Sequence, residues 1–299
     1  MRPTRRHAAL APLALLLATG CGPSDPEWSP KVICHNANCV EPADVKEDDT
    51  LPALAASLAL RGPGGAPLLD GVEIDTFWYG AEERCLFAHD LDSVETADPL
   101  ADALTTITDY QDGLAAAGGA LTRTGEPFSV YIELKGHVGP AKSEKHSPAQ
   151  RVAHAECGRD AALTLRDAAA AGGWPLEVVF TSFDPDLLVA LDALPEVRDL
   201  RASDGPVTAK LGILQGVPAP LDSQSESFAN IPPELDIDVV STHPHWARHA
   251  SLEAAGSKDW SLSIWMFTLV PETLDAITRY QPDAVTTSEA NAFTRWLDR

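Results

Sequence analysis

The feature that most constrains this chain is a repeated alternation of short β-type runs with longer, Ala-rich stretches of helical period. Runs dominated by β-forming and apolar residues occur at 31–38, 71–78, 128–136, 176–183, 199–203, 237–243, 262–269 and 283–287. Between them, residues 51–60, 100–117, 148–171, 185–194 and 271–280 repeat their apolar side chains at helical spacing. Asp49-Thr50, Asp184-Pro185 and Val270-Pro271 mark helix starts, since Pro in a first turn gives up only an amide that has no partner there. Such alternation calls for a parallel sheet, and eight strands close it, so the expected fold is α/β, a single-domain TIM-type (β/α)8 barrel. The Gly- and Pro-containing stretch 205–233 has little periodicity and reads as a long loop with room for one strand.

Arg2, Arg5 and Arg6 precede an apolar run at 8–18 that is too short to span a bilayer and ends in Ala18-Thr19-Gly20-Cys21. Residues 1–20 therefore read as an export signal. The small residues before Cys21 resemble a bacterial lipoprotein box, which implies cleavage before Cys21 and a lipid anchor on it, with ordinary secretion as the alternative. Residues 21–30 then form a flexible tether and 31–299 the barrel. The expected location is the cell envelope, at the outer membrane or in the periplasm, or outside the cell. Four further cysteines, Cys34, Cys39, Cys85 and Cys157, allow one or two disulfides in an exported chain. A Cys34–Cys39 bridge would fix a short loop, with Cys39–Cys85 and Cys85–Cys157 as alternatives. The chain carries 22 Lys and Arg against 44 Asp and Glu, a net charge of -22. A surface that acidic repels polyphosphate, so nucleic acid is not an expected partner. No obligate protein partner is expected either.

Polar residues cluster where barrel strands end. Glu73 and Asp75 lie two apart in Val72-Glu73-Ile74-Asp75 and project from one face, as do Glu133 and Lys135 at the end of an apolar strand. Buried carboxylates need a compensating cation. The first run ends in Cys34-His35-Asn36, and a short apolar run from Arg84 ends in His89-Asp90. Three carboxylates suit a hard cation, Ca²⁺ or Mg²⁺, while two imidazoles suit proton transfer, a combination fitted to cleaving a phosphodiester. Trp78, Tyr79 and Phe77 follow the Glu-x-Asp pair and read as core or as an apolar pocket. His137, His146, His154, His243, His245 and His249 read as structural, with His243 and His245 close enough to a strand end to touch substrate.

The ordered set of segments resembles the phospholipase-C-like phosphodiesterases, β/α barrels that include the glycerophosphodiester phosphodiesterases. The segments are His35, Asp48-Asp49-Thr50-Leu51-Pro52, Glu73-Ile74-Asp75, His89-Asp90, Glu133-Leu134-Lys135, Thr181-Ser182-Phe183-Asp184-Pro185, Ile264-Trp265 and Asp283-Ala284-Val285-Thr286-Thr287. The resemblance implies metal binding by Glu73, Asp75 and Glu133, acid–base catalysis by His35 and His89, and phosphate contact by Lys135. Glycerophosphodiesterases usually follow the first His with Arg, and here Asn36 stands instead. A His-Asn pair is similar to calcium-dependent phosphatidylinositol-specific phospholipases C, in which the Asn is a metal ligand. Sphingomyelinase D shares the two His and the Glu-x-Asp pair, together with a tryptophan near the barrel's end that Trp265 matches as a substrate-binding residue.

These residues lead to a metal-dependent phosphodiesterase that cleaves glycerophosphodiesters by His acid–base catalysis. A phospholipase C or D acting on intact lipid is the alternative enzyme. A calcium-dependent binding module without turnover is the alternative of a different kind, although such a module has no use for His35 and His89.

Overall fold

In the computed structural model, residues 28–42, 47–89, 96–136, 146–215, 231–244 and 260–299 are described. Eight parallel strands close a barrel: β1 (Lys31–Cys34), β2 (Gly71–Tyr79), β5 (Phe128–Leu134), β6 (Leu176–Ser182), β7 (Val207–Gln215), β8 (Val239–Thr242), β9 (Ser261–Met266) and β10 (Ala284–Thr287). Each neighbours the next in chain order, and β1 pairs with both β10 and β2 to complete the ring. The protein is thus a TIM-type barrel, as its alternating pattern requires. β3 (Arg84–Phe87) and β4 (Asp98–Pro99) are antiparallel additions outside the ring, β3 pairing with the distal half of β2. The helices are α1 (Leu51–Leu58), α2 (Leu100–Ala116), α3 (Pro148–Gly172), α4 (Pro185–Asp192), α5 (Pro195–Arg201), α6 (Pro271–Tyr280) and α7 (Ala290–Leu297).

Strand alternation sorts the side chains into two environments. Val72, Ile74, Val130, Ile132, Val178 and Phe180 face outward into the main core, against Leu54, Ile107, Leu165 and Leu188 of the helices. Ile33, Tyr131, Val179, Val239 and Ala284 form a separate small cluster inside the ring. Below them Glu177 accepts from Lys31 Nζ at 2.9 Å and pairs with Lys210 Nζ at 2.6 Å, a polar plug at the amino ends of the strands. Above them the inward positions of β2 and β5 carry Glu73, Asp75 and Glu133. Prolines open α1, α3, α4, α5 and α6, and Thr50, Ser147 and Asp184 cap three of these helices with side-chain oxygens.

The structure corrects several expected elements. Residues 199–203 are not a strand: Asp199 to Arg201 finish α5, whose Val197 and Leu200 are buried and whose Arg201 pairs with Asp192 and Asp238. The fifth barrel strand is instead β7, inside the stretch read as mostly loop, where Val207, Ala209, Leu211 and Ile213 are buried at alternate positions. The first strand stops at Cys34, because the chain turns through left-handed Asn36 (φ 47°) and Ala37 (φ 55°). β3, β4, α5 and α7 were not foreseen.

Both disulfides form, Cys34–Cys39 and Cys85–Cys157, so the Cys39–Cys85 alternative falls away. The second ties β3 to α3 across 72 residues of sequence. Closing a loop of that length removes enough unfolded-chain entropy for roughly 4 kcal/mol at most. The double substitution Cys85→Ser and Cys157→Ser is expected to lower the unfolding free energy by about 2–4 kcal/mol in a denaturant titration. An unchanged midpoint would mean that the bridge leaves stability untouched.

Candidate metal and acid–base site

Every barrel strand points its carboxyl end at one mouth, where β1, β2 and β5 bring the charged residues together. The parallel register sets Asp75 opposite Glu133 and Glu73 opposite Tyr131. One oxygen from each of Glu73, Asp75 and Glu133 lies within 4.8 Å of the others, and all three residues are buried. Lys135 follows on the same face, its Nζ 2.7 Å from Asp75 Oδ2 and 2.9 Å from Glu133 Oε1. Asp75 Oδ1 is buried with no hydrogen-bond donor among the described residues.

Two imidazoles flank this group. His35, just beyond β1, sets Nε2 3.7 Å from Glu73 Oε2 and Nδ1 3.3 Å from Ser288 Oγ. His89 follows β3, where Ala88 N donates to Asp75 O at 3.3 Å, and its Nε2 lies 4.0 Å from Asp75 Oδ2. His35 is buried, whereas 37% of the His89 side chain is exposed.

The electrostatics are those of an acidic group lacking enough positive charge. Burial, with repulsion from Asp75 and Glu133, pushes Glu73 well above the usual carboxyl range. Burial also raises Glu133, to about 7, against the partial relief supplied by Lys135. Burial alone would lower Lys135, but Asp75 and Glu133 outweigh it and hold the ammonium above its ordinary value. His35 is lowered to about 3 by burial and then by the charges of Lys135, His89 and His243, so its imidazole is neutral near pH 7.

The expected site residues His35, Asn36, Glu73, Asp75, His89, Glu133 and Lys135 therefore converge on one mouth. Asn36 gives its backbone N–H to Glu73 Oε2 at 3.2 Å, while its side-chain Nδ2 donates to Asp48 Oδ2 at 3.2 Å. Trp265, at the end of β9, lies parallel to the His35 ring with centroids 6.2 Å apart. Cys21, Asp90, His137, His245 and His249 lie outside the described residues. His154 is a buried structural residue, its Nε2 3.1 Å from Thr76 O, and His146 packs beside it. Phe77 is buried, whereas Trp78 and Tyr79 are half-buried beside it.

Asp49 was missed by assigning roles only to strand ends. It is buried and left-handed (φ 51°), and its Oδ1 accepts from Asp75 N at 2.9 Å, which locks the strand beneath the acidic group. Burial, then repulsion from Asp75, raises it well above the normal range. Asp48 bridges the side-chain amides of Asn36 and Asn38. Their signal in the sequence is the Asp-Asp-Thr segment itself, although no spacing rule shows that it folds back onto β2. His243 is buried at the end of β8, its ring 4.9 Å from that of Trp265.

No family profile and no curated protein matches this chain. Solved structures share its fold. A glycerophosphodiester phosphodiesterase from Parabacteroides distasonis superposes with a TM-score of 0.55 at 13% identity, covering 91% of this chain and 98% of that one. An Oleispira antarctica phosphodiesterase in complex with the product sn-glycerol-3-phosphate gives 0.54 at 14% identity, covering 90% and 97%. A glycerophosphodiester phosphodiesterase from Agrobacterium tumefaciens gives 0.50 at 15%, covering 89% and 100%.

The raised carboxyls fix the sign of the pH dependence. Glu73, Asp49 and Glu133 bind protons in the folded state that the unfolded chain has already released above pH 6, so stability falls as pH rises through about 7. His35 acts oppositely, losing stability as pH falls from about 6.5 toward 3, a separate window. Metal-free protein is therefore expected to melt at lower temperature at pH 8.5 than at 6.5. A bound divalent cation must displace those protons, so Ca²⁺ or Mg²⁺ should raise Tm more at 8.5 than at 6.5. Thermal melts with and without cation check both signs, and Glu133→Gln should flatten the metal-free slope. A metal-free Tm that climbs across this range would contradict the assignment. Taken together, the chain has the barrel fold of solved glycerophosphodiester phosphodiesterases and, at its mouth, a buried acidic triad consistent with a metal site.

Proposed function

We propose that the protein is a divalent-metal-dependent phosphodiesterase acting on glycerophosphodiesters. The observation that carries this reading is the buried Glu73–Asp75–Glu133 group flanked by His35 and His89. The residues fit a hard cation: their donors are oxygens, Asp75 Oδ1 has no donor among the described residues, and two of the three carboxyls resist ionising without added positive charge. Glu73, Asp75 and Glu133 would hold Ca²⁺ or Mg²⁺, with the Asn36 side-chain Oδ1 as a further ligand. Bound there, such a cation polarises phosphoryl oxygens and offsets the charge that grows on them.

The chain's own residues supply the rest. Lys135 offers a fixed positive charge to the phosphate. His35, neutral at working pH, takes the proton from the attacking oxygen as that oxygen bonds to phosphorus. His89 gives a proton to the alcohol oxygen as its bond to phosphorus breaks. With water as attacker the net reaction consumes one water and yields a phosphomonoester and an alcohol. The solved Oleispira protein holds sn-glycerol-3-phosphate as its product, which supports glycerol phosphate as that monoester here.

The position of the amino terminus favours a water-soluble substrate over intact membrane lipid. Trp28 Nε1 donates to Pro282 O, and Arg123 holds Pro30 O and Asp70, so the chain joins the barrel at the end opposite the mouth. A lipid on Cys21 would leave seven residues to Trp28, about 25 Å even when fully extended. A lipid there would attach the barrel by the amino ends of its strands, the end opposite the mouth.

The test is turnover of bis(p-nitrophenyl) phosphate and glycerophosphodiesters with Ca²⁺, Mg²⁺ or chelator, beside headgroup release from phospholipid liposomes. Activity is expected on the soluble esters, lost with chelator and lowered at least about 100-fold in His35→Ala and His89→Ala, each still folded by circular dichroism. Undiminished turnover in either variant would remove the acid–base assignment. Faster release from liposomes would favour the phospholipase reading.

A further inference from the structure

Asn36 has four polar atoms, and the fold commits three of them. Its backbone N–H donates to Glu73 Oε2 at 3.2 Å, its backbone carbonyl accepts from Asp49 N at 2.9 Å, and its side-chain Nδ2 donates to Asp48 Oδ2 at 3.2 Å. The side-chain Oδ1 is the atom left over, with no donor among the described residues. Asn36 is only 2% exposed, so water has little access to that oxygen. An amide oxygen kept from water and given no donor is costly unless a ligand meets it.

The partners of a side-chain amide decide which of its ends faces which way. A carboxylate only accepts, so Asn36 turns its N–H end to Asp48 and its oxygen elsewhere. Asp48 is itself fixed from two sides, because its Oδ1 accepts from Asn38 Nδ2 at 3.0 Å while Oδ2 takes Asn36. Asn36 and Asn38 flank Ala37, so one carboxylate spans both ends of the left-handed turn beyond His35. The next residue, Asp49, joins that turn to β2, since its N–H reaches Asn36 O and its Oδ1 takes Asp75 N. Without Asp48 the amide rotates about its last torsion, which is broad and roughly two-fold, and its flipped form puts N–H hydrogens where the oxygen stood. A cation is repelled by that end.

We propose that Asp48 is a positioning residue of the cation site: it holds the Asn36 carboxamide with Oδ1 free to join Glu73, Asp75 and Glu133 around a divalent cation, and it bars the flipped amide. This role rests on the metal-dependent reading given above. A simpler role for Asp48, as one more negative charge drawing a cation from a distance, makes a different demand. A distant charge acts whether or not residue 36 has an amide, whereas an orienting contact acts only through it.

The experiment is a double-mutant cycle read by cation affinity. CaCl₂ and MgCl₂ are titrated calorimetrically into metal-free wild type, Asp48→Ala, Asn36→Gly and the double variant, with thermal melts to show that each is folded. Asn36→Gly removes the amide and keeps the left-handed turn, which glycine enters without steric cost. Each single substitution is expected to weaken cation binding at least about tenfold, and Asp48→Ala to cost less than about twofold more once glycine stands at position 36. Should Asp48→Ala not fold, Asp48→Asn takes its place in the same cycle, because its NH₂ end cannot accept from either asparagine. An equal loss from the Asp48 substitution in both backgrounds would overturn the proposal in favour of a distant charge. Unchanged affinity in the Asp48 variant would overturn it outright. If the wild type binds neither cation, the metal-dependent reading fails and takes the proposal with it, whereas binding with additive losses defeats the proposal alone.

Discussion

Three carboxylates and one ammonium share the upper interior of the barrel, and the rest of the mouth is arranged around that imbalance. A buried charge is costly unless paired, and Lys135 can offset only one of the three acids. The amino end of the same barrel shows what a settled arrangement looks like. There Glu177 is gripped by Lys31 and Lys210, and although burial opposes it, the two ammonium groups pull its carboxyl below the ordinary range. At the mouth, Glu73 and Glu133 move the other way. The mouth acids are the more deeply buried, and they have one ammonium for three carboxyls where Glu177 has two for itself, so burial and charge balance push the mouth in the same direction. That shortfall of positive charge is what a site able to hold a cation would have and an ion pair that only holds strands together would not.

Much of this was readable in the sequence because period-2 alternation carries two messages at once. In β2 and β5 the outward residues Val72, Ile74, Val130 and Ile132 announce a strand, while the inward Glu73, Asp75 and Glu133 announce what the strand presents. Where the two messages separate, reading fails. β7 has buried Val207, Ala209, Leu211 and Ile213, but Lys210 also points inward, to Glu177, and Gly212 interrupts the run, so its alternation is blurred. α5 spans only 7 residues, too few for helical period to outvote a local Asp-Leu-Arg-Ala pattern. Asp49 was illegible for another reason. Its role depends on a loop returning to β2, a contact between residues 26 apart that no local pattern encodes.

Asn36 has a backbone reason for standing after His35. His35 is followed by two consecutive left-handed residues, Asn36 and Ala37, a conformation that costs an ordinary residue about 1–2 kcal/mol. Asn is the non-glycine residue that enters that region most readily. Here its amide also reaches Asp48, which takes Asn38 with its other oxygen, and the Asn36 carbonyl accepts from Asp49 N at 2.9 Å. The Cys34–Cys39 bridge closes the same turn covalently, and Cys39 N is held by Ser57 Oγ at 3.0 Å on α1. A long arginine at this position would meet the left-handed penalty without the short-range hydrogen bond that offsets it. An amide at position 36 thus follows from how the turn is built. That turn aims the His35 imidazole into the barrel while sending its neighbours Cys34 and Cys39 into the outer core. At the same mouth Lys135 is the ammonium that faces Asp75 and Glu133.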